Sequence, residues 1–289
     1  MAATPEPTPD QQGPADGDAD VPSPLDALVG ADRPLRIGHM GAGGLAPGNS
    51  LASIEAALRH GVDLVELDVW QAADGALVLA HFNWLPPDPH PSGQSTVRDW
   101  ARALRTWRAW PRVTRLTLQE LRRLPVPPPT LSEALDLMRG RALPYLDLRG
   151  DGMAAELCAT LRAGAPDGAL LGAGPQRSFR AEHALMPELP ATSGIAVPLL
   201  GRVLPPSLQA RLAASLIARA RLVGATGISI EYHLAQPTFM AACRRAGLFV
   251  FAWTVDDPAA MRRLIAAGVD GITTNRPDRL ATVLAEGAG

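Results

Sequence analysis

The sequence predicts an α/β fold of the (β/α)8, or TIM, barrel class. Three observations carry that expectation. Roughly eight strand-like segments alternate with helix-like ones over ~250 residues. The same helix-to-strand joint is used twice, at Gly61-Val-Asp63 and at Gly268-Val-Asp270. The residues with chemical capacity cluster at strand ends, where such a barrel displays its functional groups. The competing architecture is an open doubly wound sheet. His39-Met-Gly-Ala-Gly-Gly44 is glycine-rich but lacks the spacing of a dinucleotide fingerprint.

Residues 1–32 are rich in Pro, Asp, Gly and Ala and contain no Arg. They hold too little apolar surface to offset their ordering entropy, which predicts a disordered acidic tail. Such a tail reads as a solubilising extension, with an acidic partner arm as the alternative. The barrel domain is expected over 33–289. Leu35–His39 is a short apolar strand. Asn49 or Ser50 caps a helix with Leu51, Ile54 and Leu58 on one face, ending at Gly61. Leu64–Trp70 alternates as a strand, Asp74-Gly75 signals a tight turn, and Leu77–His81 follows as another strand. Thr117-Leu-Gln-Glu120 and Thr130-Leu-Ser-Glu133 fit the capping box, in which Thr and Glu satisfy each other's amides. Leu143–Arg149 is strand-like and Met153–Arg162 helical. Ala169–Gly172, Thr192–Val197, Thr226–Glu231 and Leu248–Val255 are further strands. Asp257-Pro258 opens a helix with Met261, Leu264 and Ile265 inward, Gly268 closes it, and Gly271–Thr274 is the last strand.

Composition removes several functions. With 289 residues the chain can bury a sizeable core. A net charge of −2 argues against nucleic-acid binding through bulk positive charge. All 27 basic residues are Arg, which excludes Schiff-base chemistry and a P-loop. Two cysteines, Cys158 and Cys243, exclude a disulfide framework and a Cys-rich zinc site. No apolar run reaches the ~18 residues of a membrane span, and the N-terminus lacks the features of a signal peptide. The expected setting is the cytoplasm, with no peripheral membrane contact and a small molecule as partner.

Chemistry concentrates in Val65-Glu66-Leu67-Asp68-Val69. In a strand, residues i and i+2 share a face, so Glu66 and Asp68 point the same way. Two carboxylates on a buried strand repel, and a divalent cation with oxygen ligands, Mg²⁺ or Ca²⁺, resolves the conflict. Pairing with Arg or exposure to water is the plainer solution. In Tyr145-Leu-Asp147-Leu-Arg149, Asp147 and Arg149 share one face. Asp147 is a candidate third metal ligand, and the Arg149 guanidinium matches phosphate oxygens. A self-neutralising Asp–Arg pair is the alternative. His39 and His81 end strands and suit general acid and base work near neutral pH. His60 falls at a helix C-terminus, where the dipole accounts for it. His233 follows Glu231 at a strand end and is placed at the same mouth; His90 and His183 receive no role.

His39-Met-Gly41, Ala46-Pro-Gly-Asn-Ser50, Glu66-Leu-Asp68 and His81 occur in the order seen in glycerophosphodiester phosphodiesterases. Trp253-Thr-Val-Asp-Asp-Pro258, Gly268-Val-Asp-Gly-Ile-Thr-Thr-Asn275 and Arg276-Pro277 resemble that family's C-terminal end, with Leu143–Arg149 and Ser178-Phe179 as weaker blocks. The resemblance spans roughly residues 35–280. It implies a barrel of the PLC-like phosphodiesterase type that cleaves glycerophosphodiesters to glycerol 3-phosphate and an alcohol. It further implies one divalent cation on Glu66, Asp68 and Asp147, with His39 and His81 as acid and base. Arg149 would hold phosphate and Trp253 would lie beside the glycerol. A related barrel phospholipase and a non-catalytic phospho-ligand binder are the alternatives.

The sequence departs from that family's pattern in five places. Met40 stands for the usual Arg and Gly48 for the usual Glu. Asp147 stands for Glu, Arg149 for Lys, and Phe82 for an Asp often found there. Residues 83–115 form an insertion with four of the six tryptophans, Trp84, Trp100, Trp107 and Trp110. If Val97–Trp110 is helical, Trp100, Leu104 and Trp107 share a face. The readings are a helix docked on the barrel, a cap admitting an anionic head group, or a membrane-surface anchor.

Overall fold

Eight strands pair in parallel and close on themselves. They are β1 (Leu35–Gly38), β2 (Leu64–Gln71), β4 (Leu143–Leu148), β5 (Leu170–Gly172), β6 (Ala191–Ile195), β7 (Gly227–Glu231), β8 (Phe249–Trp253) and β9 (Gly271–Thr274). The order β1-β9-β8-β7-β6-β5-β4-β2 is completed by pairing of β1 with β2. β3 (Leu77–Leu79) pairs antiparallel with β2 and is not a stave of the barrel. The structure, a computed structural model, describes residues 25, 29, 32–85, 110–165, 168–172, 184–195 and 205–287. Within them the helices are α1 (Leu51–Arg59), α2 (Leu118–Leu121), α3 (Leu131–Met138), α4 (Ala154–Gly164), α5 (Pro206–Leu222), α6 (Pro237–Arg245), α7 (Pro258–Ala267) and α8 (Pro277–Gly287). None is long and apolar enough to cross a membrane.

The local chemistry follows the residues. Thr117 and Thr130 cap α2 and α3 in full capping boxes with Glu120 and Glu133. Ser50, rather than Asn49, caps α1, and Ser53 completes its box. The repeated Gly-Val-Asp joint has one mechanism. Gly61 and Gly268 take φ of 64° and 71°, which a Cβ would strain. Val62 and Val269 are buried. Asp63 then accepts from the Arg36 amide, and Asp270 from the Val250 amide, each tying a helix exit to a neighbouring strand.

Strand alternation sorts two cores. Val65, Leu67 and Val69 face outward into the large cluster beneath the helices. Ile37, Leu64, Tyr145, Leu170 and Phe251 fill the lower barrel interior. Leu25 and Val29 fall inside the stretch expected as a tail, yet they join this interior cluster, and Leu25 is only 2% exposed. Burying a leucine side chain stabilises a fold by roughly 1.5–3 kcal/mol. The packed part of the chain therefore begins before the expected boundary at residue 33. The expected helix over Val97–Trp110 lies outside the described residues apart from Trp110, as do His90, His183 and Ser178-Phe179.

Candidate functional site

The mouth of the barrel holds a cavity of about 720 Å³. Its wall contains His39, Glu66, His81, Asp147, Arg149 and Trp253. Asp68 sits behind this wall, fully buried. The fold thus brings all seven candidate site residues together, from the body of β2 and the C-terminal ends of β1, β3, β4 and β8. Strand register explains part of it. Asp68 of β2 lies level with Asp147 of β4, so their side chains meet on the inner face.

Three carboxylates converge here. Oxygens of Glu66, Asp68 and Asp147 lie within 4.8 Å of one another, a group able to hold a metal ion. One guanidinium serves them. Arg149 Nε donates to Asp68 Oδ1 at 2.6 Å and Arg149 Nη2 pairs with Asp147 Oδ2 at 2.9 Å, with a second, closer contact to Asp68. Arg149 and Asp147 do pair, but the pair is not self-contained, because Asp68 shares the arginine. Three negative charges against one positive leave a deficit of two, the charge of Mg²⁺ or Ca²⁺, and all three donors are oxygens. The donor set therefore fits such an ion.

The imbalance appears in the acidities. Burial pushes the Glu66 carboxyl well above its ordinary range, reinforced by Asp68 and Asp147, although the Met40 amide donates to it at 2.9 Å. Asp147 is pushed up to about 6, chiefly by burial, against the pull of Arg149. It keeps 30% of its side-chain surface exposed, and that surface faces the cavity it lines. Burial holds His81 below its ordinary value, so it rests neutral near pH 7.

Three supporting residues are not apparent as such from sequence. Asn49 grips Asp68 twice, its Nδ2 donating to Oδ2 at 2.7 Å and its Oδ1 accepting from the Asp68 amide at 3.0 Å. Asn275 Oδ1 lies 2.7 Å from His39 Nδ1. Asp256 accepts from both the Asn275 amide and Asn275 Nδ2, each at 2.8 Å. A carboxylate can only accept, so the Asn275 NH₂ must face Asp256 and its oxygen must face His39. His39 Nδ1 then carries a proton, and Nε2 lies 3.9 Å from Glu66 Oε2. The signal in the sequence was that all three fall inside motif blocks, Asn49 in Ala46–Ser50, Asp256 in Trp253–Pro258 and Asn275 at the end of Gly268–Asn275.

The loop after β1 is tightly constrained. Met40 and Asn49 hold φ of 50° and 57°, uncommon for side-chain-bearing residues and costing of order 1 kcal/mol each. A Cβ on Gly41 would stand 2.6 Å from Ser53. Met40 lies over Gly48, where a Cβ would come within 3.0 Å of the Met40 Cβ. Two departures from the family pattern thus occupy one place. Beyond His81, Phe82 stacks on Trp84 at 4.2 Å, and both line the mouth with Trp70. Asn83 and Thr114 exchange three hydrogen bonds and Trp84 bridges Arg112, which clasps the two ends of the insertion together. His233 does not join the lining as expected. Glu231 caps the turn that carries it and binds its Nδ1, so it is turned into its own loop.

A closed parallel barrel whose mouth presents two histidines, three acids and an arginine defines a phosphodiesterase of the PLC-like barrel class. The model of the Glycerophosphoryl diester phosphodiesterase family matches residues 39–189 and 197–279. The chain belongs to that family. It is 27% identical over 273 residues to a glycerophosphodiester phosphodiesterase of Bacillus subtilis (strain 168), covering 87% of this chain and 86% of the relative. It is 25% identical over 274 residues to one from Caldanaerobacter subterraneus subsp. tengcongensis, covering 88% and 98%. The fold is shared with an Oleispira antarctica phosphodiesterase solved with the product sn-glycerol-3-phosphate. The TM-score there is 0.70 at 21% identity, covering 88% of this chain and 97% of that one.

Proposed function

We propose that this barrel hydrolyses glycerophosphodiesters to glycerol 3-phosphate and an alcohol with the help of one divalent cation, Mg²⁺ or Ca²⁺. The observation that carries the reading is the surplus of two negative charges among Glu66, Asp68, Asp147 and Arg149, set between two histidines in one cavity. The names of the curated relatives and the product held by the Oleispira enzyme support it. Glu66, Asp68 and Asp147 would hold the cation, which when bound neutralises charge on a phosphoryl oxygen.

The side chains divide the remaining work. Asn49 holds the Asp68 carboxylate in register. The Arg149 guanidinium has five N–H donors, more than its two carboxylate partners use, and the others serve a phosphoryl oxygen. His39, with Nδ1 held by Asn275, takes a proton of the attacking water at Nε2. The water oxygen bonds to phosphorus as the P–O bond to the alcohol breaks. His81, neutral at rest, draws a proton from solvent and gives it to the departing alkoxide, and burial makes it release that proton readily. Trp253 and the aromatic rim of Trp70, Phe82 and Trp84 wall the site.

The test is glycerol 3-phosphate release from glycerophosphocholine and glycerophosphoethanolamine with Mg²⁺, Ca²⁺, Mn²⁺ or EDTA, beside His39→Ala. Metal-dependent release, lost in the variant, is expected. No release from folded protein under any metal would sink the reading.

A further inference from the structure

The outer wall of the barrel carries a second cavity, a groove of about 470 Å³ between α5 and α6. Ala210, Ala214, Ala218 and Arg221 line it from α5, and Ala242 and Arg245 from α6. Spacings of four and three place the α5 residues on one helix face. Alanine is too short to fill the space between two helices, so the groove stays open. From Ala210 to Arg221 it runs for about 16 Å. Arg221 and Arg245 both stand in the last turn of their helices. Barrel helices run opposite to the strands, so the two arginines mark the floor end of the groove.

Charge around the groove is one-sided. From Pro205 to Gly247 the sequence has five arginines and a single acid, Glu231. Glu231 lies at the mouth end of β7, bound to His233. Arg211 is exposed beside the alanine face of α5. Among the described residues, Arg211, Arg221 and Arg245 have no acidic partner. Arginines elsewhere on the helices do, as in Arg139 with Asp136, Arg141 with Glu55 and Arg262 with Glu286. The helix dipole accounts for a cation in a last turn. It does not account for Arg211, in the N-terminal half of α5, or for the lack of any acid on either helix.

The chain itself holds the opposite charge. Residues 1–24, outside the described residues, contain Glu6, Asp10, Asp16, Asp18 and Asp20, six prolines and no basic side chain. They join the fold at Leu25, which clusters with Leu35, Leu64 and Leu170, the first residues of β1, β2 and β5. That is the floor end, where Arg221 and Arg245 stand. Asp16 is nine residues before Leu25, a reach of up to about 30 Å. A domain of ~250 residues has a radius of gyration of about 18 Å, so the segment is long enough to round the edge of the barrel. A proline-rich stretch suits a shallow apolar groove because its backbone is already restricted. A second copy suits it less, since an isologous contact would set the arginines of one groove against those of the other.

We propose that the groove between α5 and α6 is the docking site of the chain's own acidic N-terminal segment, with the carboxylates of Asp16, Asp18 and Asp20 paired to Arg221 and Arg245. The tether raises the local concentration of the segment to the millimolar range, so ion pairs that are weak singly suffice together. Docking there covers the alanine face and leaves the barrel mouth open to substrate.

The test is cross-linking in the full chain with a short bismaleimide. Ala19→Cys is combined with Ala214→Cys in the groove, or with Ala159→Cys, exposed midway along α4, as the control. The native Cys158 and Cys243 are buried. At low salt the groove pair should join within one chain at least fivefold more than the control pair. The excess should fall below twofold in 1 M NaCl, where the screening length is about 3 Å. Arg221→Glu with Arg245→Glu should lower the groove yield about fivefold, and adding Asp18→Arg and Asp20→Arg should restore it. The salt arm needs no charge variant, which covers one that fails to fold. Equal yields for the two pairs, or a groove yield indifferent to both salt and charge reversal, would overturn the docking site. A product of twice the chain mass would also overturn it and give the groove to a second copy.

Discussion

At the floor of the barrel one carboxylate, Asp63, is shared by two arginines; at the mouth one arginine, Arg149, is shared by Asp68 and Asp147, with Glu66 beside them. At the floor, Arg33 donates to Asp63 at 2.7 and 2.8 Å, and Arg36 adds its amide at 2.7 Å. Burial pushes Asp63 up, but the two arginines win and hold it below its ordinary value. At the mouth burial wins, and Glu66 and Asp147 are raised. The same residue types in opposite proportion give a completed joint at one end and an unfinished electrostatic balance at the other. Charge deficit, rather than the presence of ion pairs, marks the working end.

The largest expected effect tests that contrast directly. Glu66→Gln should lower kcat by 10³-fold or more with the fold intact by circular dichroism. Asp63→Asn should leave kcat within twofold and cost about 2 kcal/mol of stability in urea, discounted because Arg33 is 39% exposed. Full activity in the first variant, or loss of catalysis without loss of stability in the second, would break the comparison. Next in size is the support of His39. Asn275→Leu should lower kcat about 10- to 100-fold with KM little changed, seen in steady-state kinetics.

A smaller effect is linked to pH. Asp147 at about 6 stands above its unfolded value, so at pH 5 the folded carboxyl holds a proton that the unfolded chain has largely released. That contribution to stability is full below the unfolded value of about 4, already declining at pH 5, and gone once pH has risen through about 6. A divalent cation needs the deprotonated form, so the rise in Tm on adding Mg²⁺ should be small at pH 5 and larger at pH 7.5. In Asp147→Asn the difference between the two pH values should shrink. The smallest effect concerns Met40 and Gly48. Gly48→Glu alone should destabilise by crowding Met40, and adding Met40→Arg should recover part of it, with a coupling of about 1 kcal/mol in a double-mutant cycle.

The barrel was legible because its signals are local. Alternation marked β2, Thr–Glu pairs marked α2 and α3, and the Gly-Val-Asp joint occurs twice because it solves one junction twice. Glu66 and Asp68 stood out because carboxylates spaced by two on an apolar strand are costly without a purpose, whereas Asp147 was only a candidate beside Arg149 until strand register set it level with Asp68. Asn275 and Asp256 were not, since a hydrogen bond across 236 positions leaves no mark in spacing. Asn49 read as a helix cap because its neighbour Ser50 takes that place and frees it to hold Asp68. Leu25 was hidden by the acidic, proline-rich composition around it. His233 was misplaced because a strand end fixes where a residue starts, not where its loop turns.

The closed floor has a kinetic consequence. A well with a single opening is emptied in the reverse of the order in which it is filled. A diester seated with one end on the floor must lose the part nearer the mouth first, and the part held below follows. An ordered release of this kind makes the product held below a competitive inhibitor and the product that leaves first a noncompetitive one. Accumulation of the last product out, rather than the first, would therefore throttle turnover when substrate is scarce.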